Sequence, residues 1–280
     1  MHRDPAVAGH FYKGSPEGLK KQVEGFLLPA SQHRKAIGIV APHAGLVYSG
    51  SVAGAVYSSI EIPGTIVLIG PNHTGLGASV SLMAGGSWET PLGSVNIDER
   101  LAGAILSKSR RIREDSLAHL REHSLEVQLP FLQYLKKDFT IVPIQMLDAR
   151  LETCFELGKV LADAIKDRVR ELAVRGQGED KKQDVLIVGS SDMSHYEQAS
   201  VAREKDYKAI QMILDLNPEG LYRTVRDWSI TMCGFGPVVA MLVASKILGA
   251  ERAELIKYAN SGEVSGDYDR VVGYAGIVVM

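Results

Sequence analysis

Residues 65–70 (TIVLIG) run directly into Pro71-Asn72-His73-Thr74-Gly75. A continuous apolar stretch without polar alternation suits a strand covered on both faces, and the polar loop after it belongs at an edge rather than in a core. The pattern recurs along the chain. Residues 36–41 (AIGIVA) run into Pro42-His43-Ala44-Gly45, and residues 139–145 (FTIVPIQ) are a third such run. Residues 184–189 (DVLIVG) lead into Ser190-Ser191-Asp192-Met193-Ser194-His195. Between them lie helical stretches. Ser15-Pro16 opens one whose stripe is Leu19, Val23, Phe26 and Leu27. Residues 50–60, 122–135, 151–172, 199–216 and 236–248 read as the others. This alternation predicts an α/β fold, a layered sandwich whose central, mostly parallel mixed sheet is flanked by helices. Residues 88–96 (WETPLGSVN) read as an antiparallel excursion around a Pro-Leu-Gly turn, and residues 270–280 as a last strand inside the sheet.

The bulk properties narrow the function classes. With 280 residues, 45% hydrophobic and 23% charged, the chain has ample material for a core. A net charge of -2 gives no basic excess for nucleic acid or an anionic membrane surface. The apolar stretch around residues 236–244 is too short to span a bilayer, and no signal-peptide core follows Met1-His2-Arg3-Asp4-Pro5. Two cysteines, Cys154 and Cys233, make no disulfide framework, so a cytoplasmic location is expected. Residues 175–183 (RGQGEDKKQ) read as an exposed, disordered break. The polar loops on either side of it serve one edge, so residues 1–280 are expected to form one domain.

In open α/β sheets, ligands bind beyond the carboxyl ends of the strands. His43, His73, Asp192 and His195 all follow predicted strands and should gather on one edge if those strands are parallel. Histidine is the commonest metal ligand and a thiolate pairs well with it; Cys233 sits just before a predicted helix, whose N-terminus favours thiolate. Each residue also has a plainer reading, as a packing histidine or a small buried cysteine. None of the three has a spacing such as His-Glu-x-x-His. Asp192 orients an imidazole, adds an oxygen ligand, or, with Ser194, simply caps a turn or helix start, and His195 suits a general acid or base. His123 and Glu126, three apart on a predicted helix, face the same way; they form a polar pair beside the site or an exposed ion pair. No phosphate loop, dinucleotide fingerprint or nucleophile elbow is present.

These residues resemble the Memo family. The resemblance is carried by residues 3–12 (RDPAVAGHFY), 41–45 (APHAG), Pro71-Asn72-His73, 88–93 (WETPLG), 122–126 (EHSLE), 191–195 (SDMSH) and Cys233-Gly234, in order from end to end. It implies a fold similar to the class III extradiol (LigB-like) ring-cleaving dioxygenases, which use non-haem iron(II). It further implies that His43 and His73 are metal ligands and His195 the acid/base. Cys233 then stands where those enzymes have a carboxylate, with Asp192 beside the pocket. Thiolate is softer than carboxylate, which favours copper or zinc while leaving iron open. The expectation is therefore an iron(II)- or copper-binding redox protein, with zinc as a further metal and His123, Asp192 and His195 as catalytic candidates. The alternatives are a peptide- or partner-binding scaffold with a vestigial pocket, and a zinc-type hydrolase. The expected partners are a small molecule or peptide in the strand-end pocket. Similarity to AmmeMemoRadiSam system protein B adds a functional association with a radical-SAM enzyme.

Overall fold

A computed structural model describes residues 1–29, 33–174 and 185–280. The expected break at residues 175–183 lies outside the described residues. Among the described residues, twelve strands join one sheet. They are β1 (His2–Arg3), β2 (Gly38–Ala41), β3 (Thr65–Pro71), β4 (Val80–Leu82), β5 (Ser87–Thr90) and β6 (Gly93–Ile97). There follow β7 (Ile112–Glu114), β8 (Thr140–Met146), β9 (Val185–Ser190), β10 (His195–Glu197), β11 (Ala253–Asn260) and β12 (Val271–Val279). The main path runs β1-β5-β6-β8-β3-β9-β2-β12-β10. Its centre, β6-β8-β3-β9-β2, is parallel throughout. The apolar runs at 36–41, 65–70, 139–145 and 184–189 supply four of these five strands, buried on both faces as their lack of alternation requires.

The antiparallel additions sit at the flanks. β5 and β6 form the hairpin expected at 88–96, and β12 lies antiparallel between β2 and both β10 and β11. The C-terminal strand is thus internal, as its apolar run suggests.

Helices cover both faces. Phe235–Ile247 is buried on nearly every side because it lies between the sheet and Leu151–Val174. Gly158 makes that packing close: a Cβ there would stand 2.6 Å from the Ala240 carbonyl oxygen. Leu46–Ser58 packs on β11 and β12. Among the described residues three α-helices lie outside the expected set: Glu99–Lys108 behind its Asp98 cap, Pro218–Asp227 behind its Asn217 cap, and the single turn Gly262–Ser265. The helix expected over 122–135 is shorter: a turn, one turn of 3₁₀ helix at Glu126–Gln128, then Leu129–Leu135. The side-chain demands of residues 122–126 override helical spacing there. No helix among the described residues is long and apolar enough to cross a membrane.

Candidate metal centre

The order β3, β9, β2 brings three polar loops to one edge. Ala41 pairs with Ser190, and Ile69 with Gly189, so Ala41, Gly70 and Ser190 stand level there. His43 lies just beyond that level on one side of Ser190–Asp192 and His73 just beyond it on the other. Cys233 comes from the opposite end of the chain, on the turn into Phe235–Ile247. Gly234 permits this approach, since a Cβ there would lie 2.2 Å from the Ser190 carbonyl oxygen. The coordinating atoms of His43, His73 and Cys233 all fall within 4.8 Å of one another. Cys233 Sγ is 3.1 Å from His43 Nε2. His43 is buried, Cys233 half-buried and His73 exposed, so the pocket opens on the His73 side.

The imidazoles of His43, His73 and His195 are tied at Nδ1. His43 Nδ1 meets Ser190 Oγ at 2.9 Å, and His73 Nδ1 meets Glu122 Oε1 at 3.0 Å. His123 Nδ1 lies 3.2 Å from the same Glu122 oxygen, and His195 Nδ1 donates to the Thr231 carbonyl at 2.8 Å. Holding Nδ1 leaves Nε2 as the free nitrogen, the arrangement that protein metal sites use to fix a ring and its tautomer. The rings of His73 and His123 stack at 4.8 Å between centroids, and Phe11 closes over His123 at 4.6 Å.

Glu122 is the hub. Its fully buried carboxylate accepts the backbone N–H groups of His73, His123 and Ser124 besides the His73 ring. Burial alone would raise its pKa; the His73 hydrogen bond and charge, the Ser124 N–H and the His123 charge overcome that and hold it down at about 2. His43 is pushed well below the usual imidazole range by burial and by the neighbouring His123 and His73, and His123 is lowered by burial and His73. The His43 and His123 rings therefore favour the neutral form, which offers a lone pair. Burial, with the Asp192 charge beside it, pushes the Cys233 thiol up, contrary to the helix-end expectation. The helix terminus is the smaller effect while no cation faces the sulfur; a bound cation reverses that balance by deprotonating a coordinating thiol.

A model of the Memo-like protein family matches residues 3–278. The chain belongs to the Memo family. A MEMO1 family protein of Methanothermobacter thermautotrophicus is 43% identical over 98% of this chain and 99% of its own length. One of Aquifex aeolicus is 43% identical over 99% of each. The crystal structure of an uncharacterized protein from Escherichia coli K12 is similar at a TM-score of 0.49 with 13% identity, over 86% of this chain and 98% of that one.

Within this Memo chain, the candidate residues take distinct places. His43, His73 and Cys233 form the cluster, and His123 joins it through a second group, His73, Glu122 and His123, whose coordinating atoms are equally close. Asp192 points its Oδ1 at the backbone N–H groups of His43 and Ala44, at 2.7 and 3.2 Å, so it shapes the β2 loop. Burial raises its pKa. His195 sits on β10 outside the close cluster, tied through its backbone N–H and Nδ1 to the Thr231 hydroxyl and carbonyl. Glu126 is neither an exposed ion partner nor a support for His123. It is buried against Arg3 at 2.8 Å and accepts from Ala6 N, Val7 N and Tyr12 Oη, which anchors the N-terminal segment. Glu122, Ser190 and Gln128 are site residues outside the sequence-derived candidates. Nothing in their spacing marks them, because apart from the His123 and Ser124 N–H groups beside Glu122 their partners come from loops and a helix far away in sequence.

Proposed function

We propose that this Memo protein holds a redox-active transition metal, iron(II) or copper, at His43 Nε2, His73 Nε2 and Cys233 Sγ. The convergence of two imidazoles and a thiol from three separate loops carries the reading. The donor set fits such a metal. Hard cations such as magnesium and calcium want several carboxylate or carbonyl oxygens. Here Glu122 spends its carboxylate on His73, His123 and Ser124, and Asp192 accepts from the backbone of His43 and Ala44. Imidazole and thiolate instead suit iron, copper or zinc. When bound, iron or copper supplies one-electron chemistry at a centre with room for further ligands.

The chain's own groups support that chemistry. Ser190 and Glu122 keep both ligand rings aimed. His123, stacked on His73 beside Glu122, is placed to accept or donate a proton at the pocket, and His195, tied at Nδ1 to the Thr231 carbonyl, offers a further Nε2. Phe11 covers one side of His123 and limits water there.

Metal analysis of protein purified without chelators is the test. About one iron or copper per chain, lost from Cys233→Ser, is the expected result. Stoichiometric zinc with ester or amide turnover would move the assignment to hydrolysis. No bound metal and no uptake on titration would end the reading.

A further inference from the structure

The hydrogen bonds behind His43 run in one direction only. Tyr57 Oη lies 2.9 Å from Gln128 Oε1, which has no proton to give, so Tyr57 donates. The Gln128 amide nitrogen is thereby turned the other way, toward the Pro42 carbonyl and Ser190 Oγ, both at 3.0 Å. Pro42 offers only an acceptor there, which fixes the amide a second time. Ser190 has one hydroxyl proton, and the Ser124 carbonyl at 2.6 Å takes it. The Ser190 oxygen is left as an acceptor toward both Gln128 and His43 Nδ1, 2.9 Å away. Tyr57, Ser124, Gln128 and Ser190 are completely buried and His43 is 1% exposed, so water has no access to break the sequence.

We infer that Ser190, oriented by Gln128 and the Ser124 carbonyl, is a positioning residue that locks His43 as its Nδ1–H tautomer and so aims the Nε2 lone pair at Cys233 and the pocket. The lock carries no charge, in contrast to the Glu122 carboxylate that serves His73. A neutral acceptor fits this place. His43 is deeply buried, and a second carboxylate beside Asp192 would add an uncompensated negative charge. In the metal-free protein the Cys233 S–H donates to Nε2 across their 3.1 Å contact, so a metal arriving there displaces one proton without turning the ring.

Long-range proton–nitrogen NMR on metal-free protein reads the tautomer directly, with His43→Gln assigning the signals. The wild type should carry its proton on Nδ1 alone. Ser190→Ala should add the Nε2–H form, Gln128→Leu should add a smaller share of it, and Ser190→Thr should restore the wild-type state. His73 signals should stay unchanged in all three. The consequence for metal rests on the proposed function: zinc or copper(I) affinity, measured by chelator competition, should fall about 10–100-fold in Ser190→Ala and recover in Ser190→Thr. A wild-type proton on Nε2, or Ser190→Ala with the wild-type tautomer, would overturn the inference. A wild type that shows the Nδ1–H form and takes up no metal would instead sink the proposed function while the lock stands.

Discussion

Glu122→Gln keeps the side chain's shape while removing its charge and half of its accepting capacity. The wild-type carboxyl is held at about 2 against an ordinary 4.5. For a side chain with no exposed surface, that depression corresponds to about 3 kcal/mol of native stability at neutral pH. A depressed carboxylate contributes fully above its unfolded pKa and loses the contribution as pH falls toward the folded value. Half is gone by about pH 3. The glutamine variant should therefore be about 3 kcal/mol less stable than wild type at pH 7, and the gap should close in acid. The amide also presents N–H hydrogens where His73 and three backbone donors need acceptors, so the His73 ring loses its orientation. Metal affinity should fall about 10–100-fold, or about 1.4–2.7 kcal/mol. Urea unfolding with chelator present, at pH 7 and pH 3.5, measures the first effect, and chelator competition at pH 7 the second. A gap of equal size at both pH values, or wild-type metal affinity, would refute the role given to Glu122.

Three further outcomes separate the site from its support. Cys233→Ser should abolish the thiolate-to-metal absorption of copper- or cobalt-loaded protein, whereas Cys154→Ser should leave it intact, because Cys154 belongs to neither candidate ligand group and burial with the Asp148 charge holds its thiol at about 12. Arg3→Met should cost about 3–5 kcal/mol in urea unfolding, since it strands buried Glu126 and removes donors from the His119 and Glu122 carbonyls; a cost under about 1 kcal/mol would show the pair to be dispensable. Among the described residues, neither ring nitrogen of buried His119 has a hydrogen-bond partner, and burial with the Arg3 charge lowers it to about 3 from 6.5. A lowered histidine penalises the fold only once the unfolded ring takes its proton, so the loss begins as pH drops through 6.5 and reaches about 2–3 kcal/mol by pH 4.5. His119→Phe, which keeps a flat ring against Trp88, should remove that slope in paired unfolding curves at pH 7 and 4.5.

The sequence exposes the frame of this molecule far better than its supports. β-Branched runs without alternation identify the central strands because burial on both faces leaves no other composition open. His43 and His73 are legible for the same reason: a polar loop after a buried strand is forced to the sheet edge. Cys233 is not legible by spacing. It lies 190 positions from His43 and reaches it only because Phe235–Ile247 is trapped between the sheet and a second helix. The misreading of residues 122–126 has a specific cause. Leu125, Leu129 and Leu132 repeat at helical intervals, yet Glu122 turns back to receive the N–H groups of His123 and Ser124, which a helix start would otherwise leave to another cap.

The N-terminal residues reach the site through that turn, although none of them belongs to either candidate ligand group among the described residues. The Arg3 guanidinium donates to the Glu122 carbonyl at 2.7 Å and the His119 carbonyl at 2.6 Å, holding both ends of the segment that carries Glu122. Its third arm binds Glu126, which in turn holds the backbone of Ala6 and Val7. Phe11, a few residues on, lies against His123, and its carbonyl receives the N–H of Leu46 at the start of the helix after the His43 loop. One short segment thus braces the His123 side and the His43 side of the pocket together. Loosening it at Arg3 should therefore weaken metal affinity as well as stability, whereas an equally destabilising change in the helix Glu99–Lys108, which packs on Leu151–Val174 and strands β7 and β8, such as Ile105→Ala, should cost stability alone. The ratio of the two losses distinguishes a brace built for the site from ordinary core packing.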